Sequence, residues 1–89
     1  MLELFQAEDC PYCQTVRTTL TELGVSYVIH NPRTATKDDT RNAQTQAELV
    51  ALGGKDQLPF LVDHTRGATL YESGDIVEYL EQHYEEVDQ

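Results

Sequence analysis

Two cysteines separated by two residues, Cys10 and Cys13, are the side chains of this sequence best suited to chemistry. A disulfide between them would close too short a loop to remove much chain entropy, so a structural staple is a poor explanation. A zinc site needs four ligands, and the three histidines are scattered without metal-ligand spacing. A C-x-x-C pair beside a strand-helix-strand unit favours redox chemistry, with zinc binding and an inert buried pair as open alternatives.

Position on a helix gives the two thiols different expected roles. Pro11 suits the first position of a helix, which places Cys10 beside the N-cap and Cys13 one turn further on. Free N–H groups and the positive end of the helix dipole favour a thiolate there, so Cys10 is the expected nucleophile. Cys13 falls on the apolar face and is the expected resolving thiol. Tyr12 is expected to form a wall beside Cys10.

The first half of the chain predicts a strand-helix-strand unit that positions this pair. LELF is short and apolar, which predicts a buried strand at residues 2–5. One apolar helical face and a stop at Gly24 predict a helix from Pro11. A β-branched and aromatic run predicts a second strand at residues 25–30, parallel to the first. The helical face consists of Cys13, Val16, Leu20 and Leu23.

The next predicted helix begins at Asp38 or Asp39, either of which suits an N-cap, and ends at Gly53 and Gly54. Its packing face is expected to be weak, because most of its apolar residues are small. The residues expected on that face are Ala43, Ala47, Leu49 and Val50.

The last third of the chain predicts a hairpin and a final helix. PFLVD and ATLY are the expected antiparallel strands, at residues 59–63 and 68–71. Ser73 is the expected N-cap of the helix, with Asp75 favourable in its first turn. The residues expected on its apolar face are Ile76, Leu80, Tyr84 and Val87.

Together these elements predict an α/β fold in the order β-α-β-α-β-β-α. The sheet is expected to have four strands of mixed direction, flanked on both faces by the three helices. A length of 89 residues fits a single domain spanning residues 1–89.

Charge and composition narrow the function classes. Sixteen acids against six Lys and Arg give a net charge of −10, which argues against nucleic acid and anionic membranes as partners. No apolar run is long enough to span a bilayer, and the first ten residues lack the basic and apolar regions of a signal peptide. The expected location is therefore cytoplasmic.

Three motifs in order carry a family resemblance: CPYC after the first strand, LP opening the third, and YESGDIVEYL at the last helix. Over nearly the whole chain they resemble the glutaredoxin family of the thioredoxin-like fold. The resemblance implies a monomeric thiol–disulfide oxidoreductase without a tightly bound cofactor, acting on disulfide-containing proteins or glutathione mixed disulfides. Glutathione, another low-molecular-weight thiol or a thioredoxin-reductase-like partner would reduce it.

The same resemblance implies the remaining site residues. Pro59 is similar to the family's cis-proline facing the cysteines, although an ordinary trans proline would also suit a strand start. Leu58 would then offer its backbone to an extended thiol peptide, with Gln57 before it. Ser73 and Asp75 also serve as helix caps without any ligand. The residues implied to hold the γ-glutamyl end of glutathione are Glu72, Ser73, Gly74 and Asp75.

Some residues depart from the family pattern. Members that use glutathione usually carry Lys or Arg shortly before the first cysteine, whereas residues 6–9 here include Glu8 and Asp9. These acids oppose the thiolate that the helix start favours, and Lys55 or Arg41 is a candidate replacement for the cation. The ESG before the last helix is closer to the amino-terminal domain of glutathione S-transferases.

Two other function classes remain. One is an iron–sulfur carrier, in which two protomers bridge a cluster, although Pro11 and Tyr12 are not typical of the family's carriers. The other is a glutathione-binding module without turnover, like the amino-terminal domain of a transferase. A complete transferase would also need a second, helical domain, for which these 89 residues leave no room.

Overall fold

The computed structural model describes residues 1–85, and the predicted order β-α-β-α-β-β-α is confirmed. No helix among those residues combines the length and the apolarity needed to cross a membrane. The elements are β1 (Leu2–Phe5), α1 (Pro11–Leu23), β2 (Val28–His30), α2 (Ala43–Gly53), β3 (Phe60–Asp63), β4 (Ala68–Tyr71) and α3 (Ser73–Tyr84).

The four strands form one mixed sheet in the order β2-β1-β3-β4. β1 runs parallel to β2, and β3 runs antiparallel to both β1 and β4. Phe5 at the end of β1 lies opposite His30 on one side and Phe60 on the other. Because β1 and β2 are parallel neighbours, the loops that follow them lie at the same edge of the sheet. That edge carries the cysteines.

Side chains alternate across the sheet and build a core on each face. The first core lies between the sheet and helices α1 and α3, and the second lies beneath α2, which confirms the predicted layers. The first core contains Leu2, Leu4, Val16, Leu20, Leu23, Leu61, Ile76 and Leu80. The second contains Phe5, Leu49, Phe60 and Val62.

Helix α1 matches its prediction at both ends. Pro11 is the first helical residue, and Gly24 ends the helix in the left-handed conformation, with φ of 70°. Glycine adopts this conformation readily because it has no Cβ, and the Gly24 N–H then donates to carbonyls of the last turn.

Strand β2 is shorter than predicted and begins at Val28 rather than at residue 25. The Val25 N–H donates to the Leu20 carbonyl at 3.0 Å, so it completes the end of α1 instead of pairing with a strand. Val25 and Tyr27 pack partly buried against the first core. Their β-branched and aromatic character therefore reflects burial against the first core and not strand pairing.

The predicted start of α2 is wrong, because Asn42 is the N-cap and accepts a hydrogen bond from the Thr45 N–H at 3.1 Å. Asp39 instead accepts hydrogen bonds from Thr34 and Arg41 within the preceding loop. The helix ends at Gly53 with Gly54 as its cap, as predicted. Only one residue of the predicted packing face is buried, Leu49, while Ala43, Ala47 and Val50 are exposed.

Two boundaries in the last third also differ from prediction. β3 begins at Phe60, so Pro59 precedes the strand. Glu72, rather than Ser73, is the N-cap of α3, and Ser73 is its first helical residue. Asp75 lies in the first turn, as predicted. Ile76 and Leu80 are buried on the expected face, and Val87 lies outside the described residues.

Candidate active site

The two cysteines occupy the start of α1 in the predicted arrangement. Cys10 is the N-cap residue, and its sulfur accepts a hydrogen bond from the Cys13 N–H at 3.2 Å. Both cysteines are free. The N–H groups of the first helical turn favour negative charge at the position of the Cys10 sulfur.

Burial separates the two thiols further. Cys13 is fully buried, whereas Cys10 keeps 7% of its surface exposed. Burial, together with the hydrogen bond to Cys10, raises the pKa of Cys13 to about 12. Cys13 is therefore a protonated thiol at neutral pH, and only Cys10 lines one of the cavities described below.

The Leu58–Pro59 peptide bond is cis, which is the geometry that the glutaredoxin resemblance implied, and the trans alternative is wrong. The Leu58 side chain packs against Ala7, Cys10 and Cys13. Within residues 1–85, the backbone N–H and C=O of Leu58 have no hydrogen-bond partner. An extended ligand passing Leu58 could pair with these groups as an added strand.

One cavity of about 420 Å³, here called the Ser73 cavity, joins most of the predicted binding residues. Asp75 is not part of its lining, although it lies in the same helical turn as Ser73. The lining residues are Tyr12, Gln57, Leu58, Pro59, Glu72, Ser73 and Gly74.

The Ser73 cavity is electrostatically suited to a ligand that ends in a free carboxylate and an ammonium group. No side chain within residues 1–85 caps the start of α3, so its first N–H groups are available to a carboxylate. The Glu72 carboxylate, which accepts a hydrogen bond from Gln57 at 2.9 Å, can receive an ammonium group. Glu72 has a left-handed φ of 69°, an uncommon conformation for a residue other than glycine.

A second cavity of about 280 Å³, here called the Cys10 cavity, adjoins the first and shares Tyr12, Gln57 and Leu58 with it. It brings two cations from the loop after β2, Arg33 and Lys37, to the same cavity as Cys10. Its full lining is Cys10, Pro11, Tyr12, Arg33, Ala35, Lys37, Gln57 and Leu58.

Of these two cations, Lys37 is the one available to a ligand. Arg33 is 4% exposed and is held by Asp56, at 2.8 Å, and by the carbonyls of Thr34 and Ala35. Lys37 is exposed and forms no ion pair with the described residues. Among the described residues, Lys37 is therefore the cation of the Cys10 cavity that is not held in an ion pair.

Sequence reasoning missed Arg33 and Lys37 and named the wrong replacements for the absent cation. Neither Lys55 nor Arg41 lines the two cavities. The Lys55 ammonium lies 5.6 Å from the centre of the Tyr71 ring, and Arg41 pairs with Asp39 at 3.0 Å. The parallel pairing of β1 and β2 was the available signal, since it places the loop after β2 beside the cysteines.

The family model of the glutathione S-transferase N-terminal domain matches residues 4–88. The chain belongs to this family. The predicted resemblance to the amino-terminal domain of glutathione S-transferases is therefore confirmed, whereas the finer resemblance to glutaredoxins is not established by this match. A search of curated proteins found no match.

Solved structures agree with this family. A diazinon-metabolizing glutathione S-transferase of Bombyx mori is 25% identical, with a TM-score of 0.73, and the alignment covers 98% of this chain and 39% of that one. Glutathione S-transferase isozyme E7 of Drosophila melanogaster is 26% identical, with a TM-score of 0.75 and coverage of 94% and 35%. The chain thus spans well under half the length of these transferases.

A third structure supports the fold alone. Glutathione S-transferase unclassified 2 of Bombyx mori has a TM-score of 0.77 at 20% identity, over 99% of this chain and 38% of that one.

In this glutathione S-transferase N-terminal domain, each of the two acids before the cysteines contacts a polar group outside the cysteine pair. Glu8 is 80% exposed and lies 3.5 Å from Arg17, a cation on α1 that the sequence reading missed. Asp9 accepts a hydrogen bond from the Ala35 N–H at 2.9 Å. Their predicted influence on the Cys10 thiolate stays a prediction.

The histidines of the domain lie away from the two cavities. His30 and His64 both contact the Glu3 carboxylate, and the ring of His83 lies 4.5 Å from that of Tyr79. Within residues 1–85, no group of three His, Cys, Asp or Glu residues is arranged to hold a metal ion.

Proposed function

We propose that this domain is a glutathione-dependent thiol–disulfide oxidoreductase of the glutaredoxin type. The observation that carries the proposal is the placement of Cys10: a helix N-cap sulfur, opening into a cation-lined cavity, with Cys13 directly behind it. This placement supplies a nucleophile, a nearby second thiol and a site for an anionic thiol ligand. Disulfide-containing proteins are the expected partners, and residues 1–89 are expected to act as a single monomeric domain.

The first step is attack by the Cys10 thiolate on one sulfur of a substrate disulfide. The Cys10–sulfur bond forms as the substrate S–S bond breaks, and the other substrate sulfur leaves as a thiolate that takes a proton from water. The Cys13 N–H and the helix dipole stabilise the thiolate before attack. The product is a mixed disulfide between Cys10 and the substrate.

Either of two thiols can then resolve this mixed disulfide. Cys13 gives up its proton and attacks Cys10, which releases the second substrate thiol and leaves a Cys10–Cys13 disulfide. Burial raises the pKa of Cys13 to about 12, so external glutathione is expected to compete when the mixed disulfide is with glutathione. Two glutathione molecules supply the two electrons that return the Cys10–Cys13 disulfide to the dithiol, with glutathione disulfide as the product.

The two adjoining cavities support glutathione as the thiol. An extended tripeptide passing Leu58 would place its γ-glutamyl end at Ser73 and Glu72, which offer helix N–H groups and a carboxylate. Its other carboxylate would lie in the Cys10 cavity near Lys37. Its sulfur would lie between them, next to Cys10.

Replacing Lys37 with methionine is expected to raise the KM for glutathione mixed disulfides about fivefold and to leave kcat within about twofold. One exposed charge pair contributes up to about 1 kcal/mol, which corresponds to this factor. Steady-state kinetics would measure both constants. Lys55→Met is the matched control, because Lys55 lies over Tyr71 and outside both cavities. A larger effect at Lys55 than at Lys37 would contradict the assignment.

Cys13→Ser is expected to accumulate one glutathione on Cys10 after exposure to glutathione disulfide, because the protein no longer has a second thiol of its own to displace it. Mass spectrometry of the intact protein would detect the adduct. The variant should keep activity on glutathione mixed disulfides and lose about tenfold or more on protein disulfides that need both cysteines. Absence of any adduct at Cys10 would contradict the proposed mechanism.

The assay that tests the function follows NADPH consumption with glutathione, glutathione reductase and a glutathionylated peptide. Wild-type protein is expected to turn over this mixture. Failure to reduce any disulfide with any thiol donor would overturn the oxidoreductase proposal. Activity supported only by thioredoxin reductase would retain the redox chemistry and remove glutathione as the reductant.

The family match favours a second candidate, a glutathione-binding domain without disulfide turnover. Calorimetry would show glutathione binding in both cases, whereas a domain without turnover would give no NADPH consumption in the coupled assay. An iron–sulfur carrier is the remaining alternative, and visible absorbance after anaerobic purification with glutathione would identify it.

A further inference from the structure

Asp9 connects the segment that leads into Cys10 with the loop after β2, and residues from both line the Cys10 cavity. It precedes Cys10 in the loop after β1, and its carboxylate accepts the Ala35 N–H at 2.9 Å from the loop after β2. An acid next to a site for an anionic thiol would be expected to weaken binding through charge repulsion. Its hydrogen bond gives Asp9 a contribution of the opposite sign.

The loop that Asp9 holds, residues 33–40, is braced internally. Arg33 and Thr40 form an isolated β-bridge across its base. The Thr34 N–H donates to the Asp39 carbonyl at 3.1 Å, and the Thr34 hydroxyl donates to the Asp39 carboxylate at 3.0 Å. Because these bonds close the loop on itself, loop 33–40 is expected to move as one piece.

Two contacts fix the position of this piece over the site. At its base, Arg33 is anchored to Asp56, next to the Gln57–Leu58 segment. On the cysteine side, Ala35 is anchored to Asp9. Lys37 lies two residues beyond Ala35, so its position beside Cys10 depends on the second anchor.

We propose that Asp9 is a positioning residue for anionic thiol substrates: by holding Ala35, it keeps Lys37 in the wall of the Cys10 cavity. The inference rests on the proposed function and adds a determinant of its specificity. Asp9 thereby favours binding of a negatively charged ligand despite its own charge.

Two substitutions separate positioning from charge repulsion. Asp9→Asn keeps a carbonyl oxygen for the Ala35 N–H and removes the charge, whereas Asp9→Ala removes both. Asp9→Ala is expected to raise the KM for a glutathione mixed disulfide about fivefold with kcat unchanged, and Asp9→Asn is expected to stay within about twofold of wild type. Equal decreases of KM in both variants would overturn the proposal, because repulsion would then dominate.

Substrate charge and a second background sharpen the test. The rate at which a neutral disulfide, bis(2-hydroxyethyl) disulfide, oxidises the reduced protein in the absence of glutathione is expected to be unaffected by Asp9→Ala. In a Lys37→Met background, Asp9→Ala should add no further increase of KM, since the cation that it positions is gone. An additive increase would overturn the proposal. Asp38→Ala is the control, because Asp38 has the same charge, is exposed and forms no hydrogen bond with the described residues.

Hydrogen exchange at the Ala35 amide tests the anchor independently of catalysis. Exchange is expected to be about fivefold or more faster in Asp9→Ala than in wild type, and close to wild type in Asp9→Asn and Asp38→Ala. An unchanged rate in Asp9→Ala would overturn the positioning role. A wild-type protein that reduces no disulfide would overturn the proposed function instead, so the two failures are distinguishable.

Discussion

Cys10→Ser is expected to lower kcat/KM for disulfide reduction by about 10³-fold or more. A serine hydroxyl is not ionised at neutral pH and is a poor nucleophile without an adjacent base. None of the three histidines lies in the cavity that contains Cys10, so no described imidazole is placed to activate the hydroxyl. Cys13 cannot take over, because it is fully buried and its pKa is raised to about 12.

The NADPH-coupled assay measures this loss, and Cys13→Ser is the matched control. Both variants exchange one sulfur for one oxygen in the same helical turn, so a difference between them reports on role and not on size. Cys10→Ser is expected to fail with every thiol donor, whereas Cys13→Ser keeps its activity on glutathione mixed disulfides. A Cys10→Ser protein with more than about a tenth of wild-type activity would contradict Cys10 as the nucleophile.

Thermal unfolding separates loss of chemistry from loss of folding. The Cys10 sulfur accepts one hydrogen bond, from the Cys13 N–H, and a serine oxygen can also cap a helix. We therefore expect Cys10→Ser to change the free energy of unfolding by less than about 1 kcal/mol. A large decrease of Tm would show that Cys10 also holds the helix start in place.

The fold was predictable where burial and capping point the same way. Pro11 and Gly24 mark the two ends of α1, and the apolar spacing between them identifies its buried face. The predicted β2 is too long because Val25 and Tyr27 are buried against the first core without pairing with a strand. Local composition does not separate these two causes of burial.

The positions of the two cysteines were predictable from their spacing at a helix start, and the cis-proline from the family resemblance. Lys37 was missed because its polar neighbours alone indicate only a solvated loop; the predicted parallel pairing of β1 and β2 was the signal that places this loop beside the cysteines. Asp39 shows the same limit: it looked like a helix cap and instead closes loop 33–40 through Thr34. Asp9 shows this limit as well. Its position beside Cys10 predicts only an opposing charge, whereas its hydrogen bond from the Ala35 N–H depends on the fold.

Asp63→Ala is expected to lower the free energy of unfolding by about 3 kcal/mol, and Tm by roughly 12–24 °C for a domain of this size. Asp63 ends β3 and is fully buried. The variant would leave its donors without an acceptor, at a cost of about 1–3 kcal/mol for each group that stays dry. Those donors are the Tyr79 hydroxyl at 2.6 Å, the Tyr84 hydroxyl at 3.0 Å, the Thr65 N–H at 3.0 Å and the Arg66 guanidinium at 3.3 Å.

This cluster should also give the domain a characteristic pH dependence. Burial acts to raise the pKa of Asp63, but the hydrogen bonds from Tyr79, Tyr84, the Thr65 N–H and Arg66 together outweigh it and hold that pKa below the ordinary value of 3.8. Its contribution is therefore present above about pH 4 and is lost as the pH falls through the pKa of the folded state. Burial, followed by the bond to Asp63, raises the pKa of Tyr79 from 10.0 to about 12, so that contribution is lost as the pH rises between these values.

Urea unfolding from pH 2 to pH 8 would measure the acid side of this dependence. Asp63→Asn should remove the part of the slope below pH 4 that comes from this residue, because an amide does not titrate. Tyr84→Phe removes one donor and should cost only about 1 kcal/mol, while Asp38→Asn, at an exposed position, should change neither stability nor slope. An Asp63→Asn protein with an unchanged acid slope would assign the loss to other carboxylates, Glu3 first, since hydrogen bonds from His64 and His30 lower its pKa. Because Asp63 fastens the far end of the helix whose start lines the Ser73 cavity, its variants should lose activity only in proportion to the folded fraction, in contrast to Cys10→Ser.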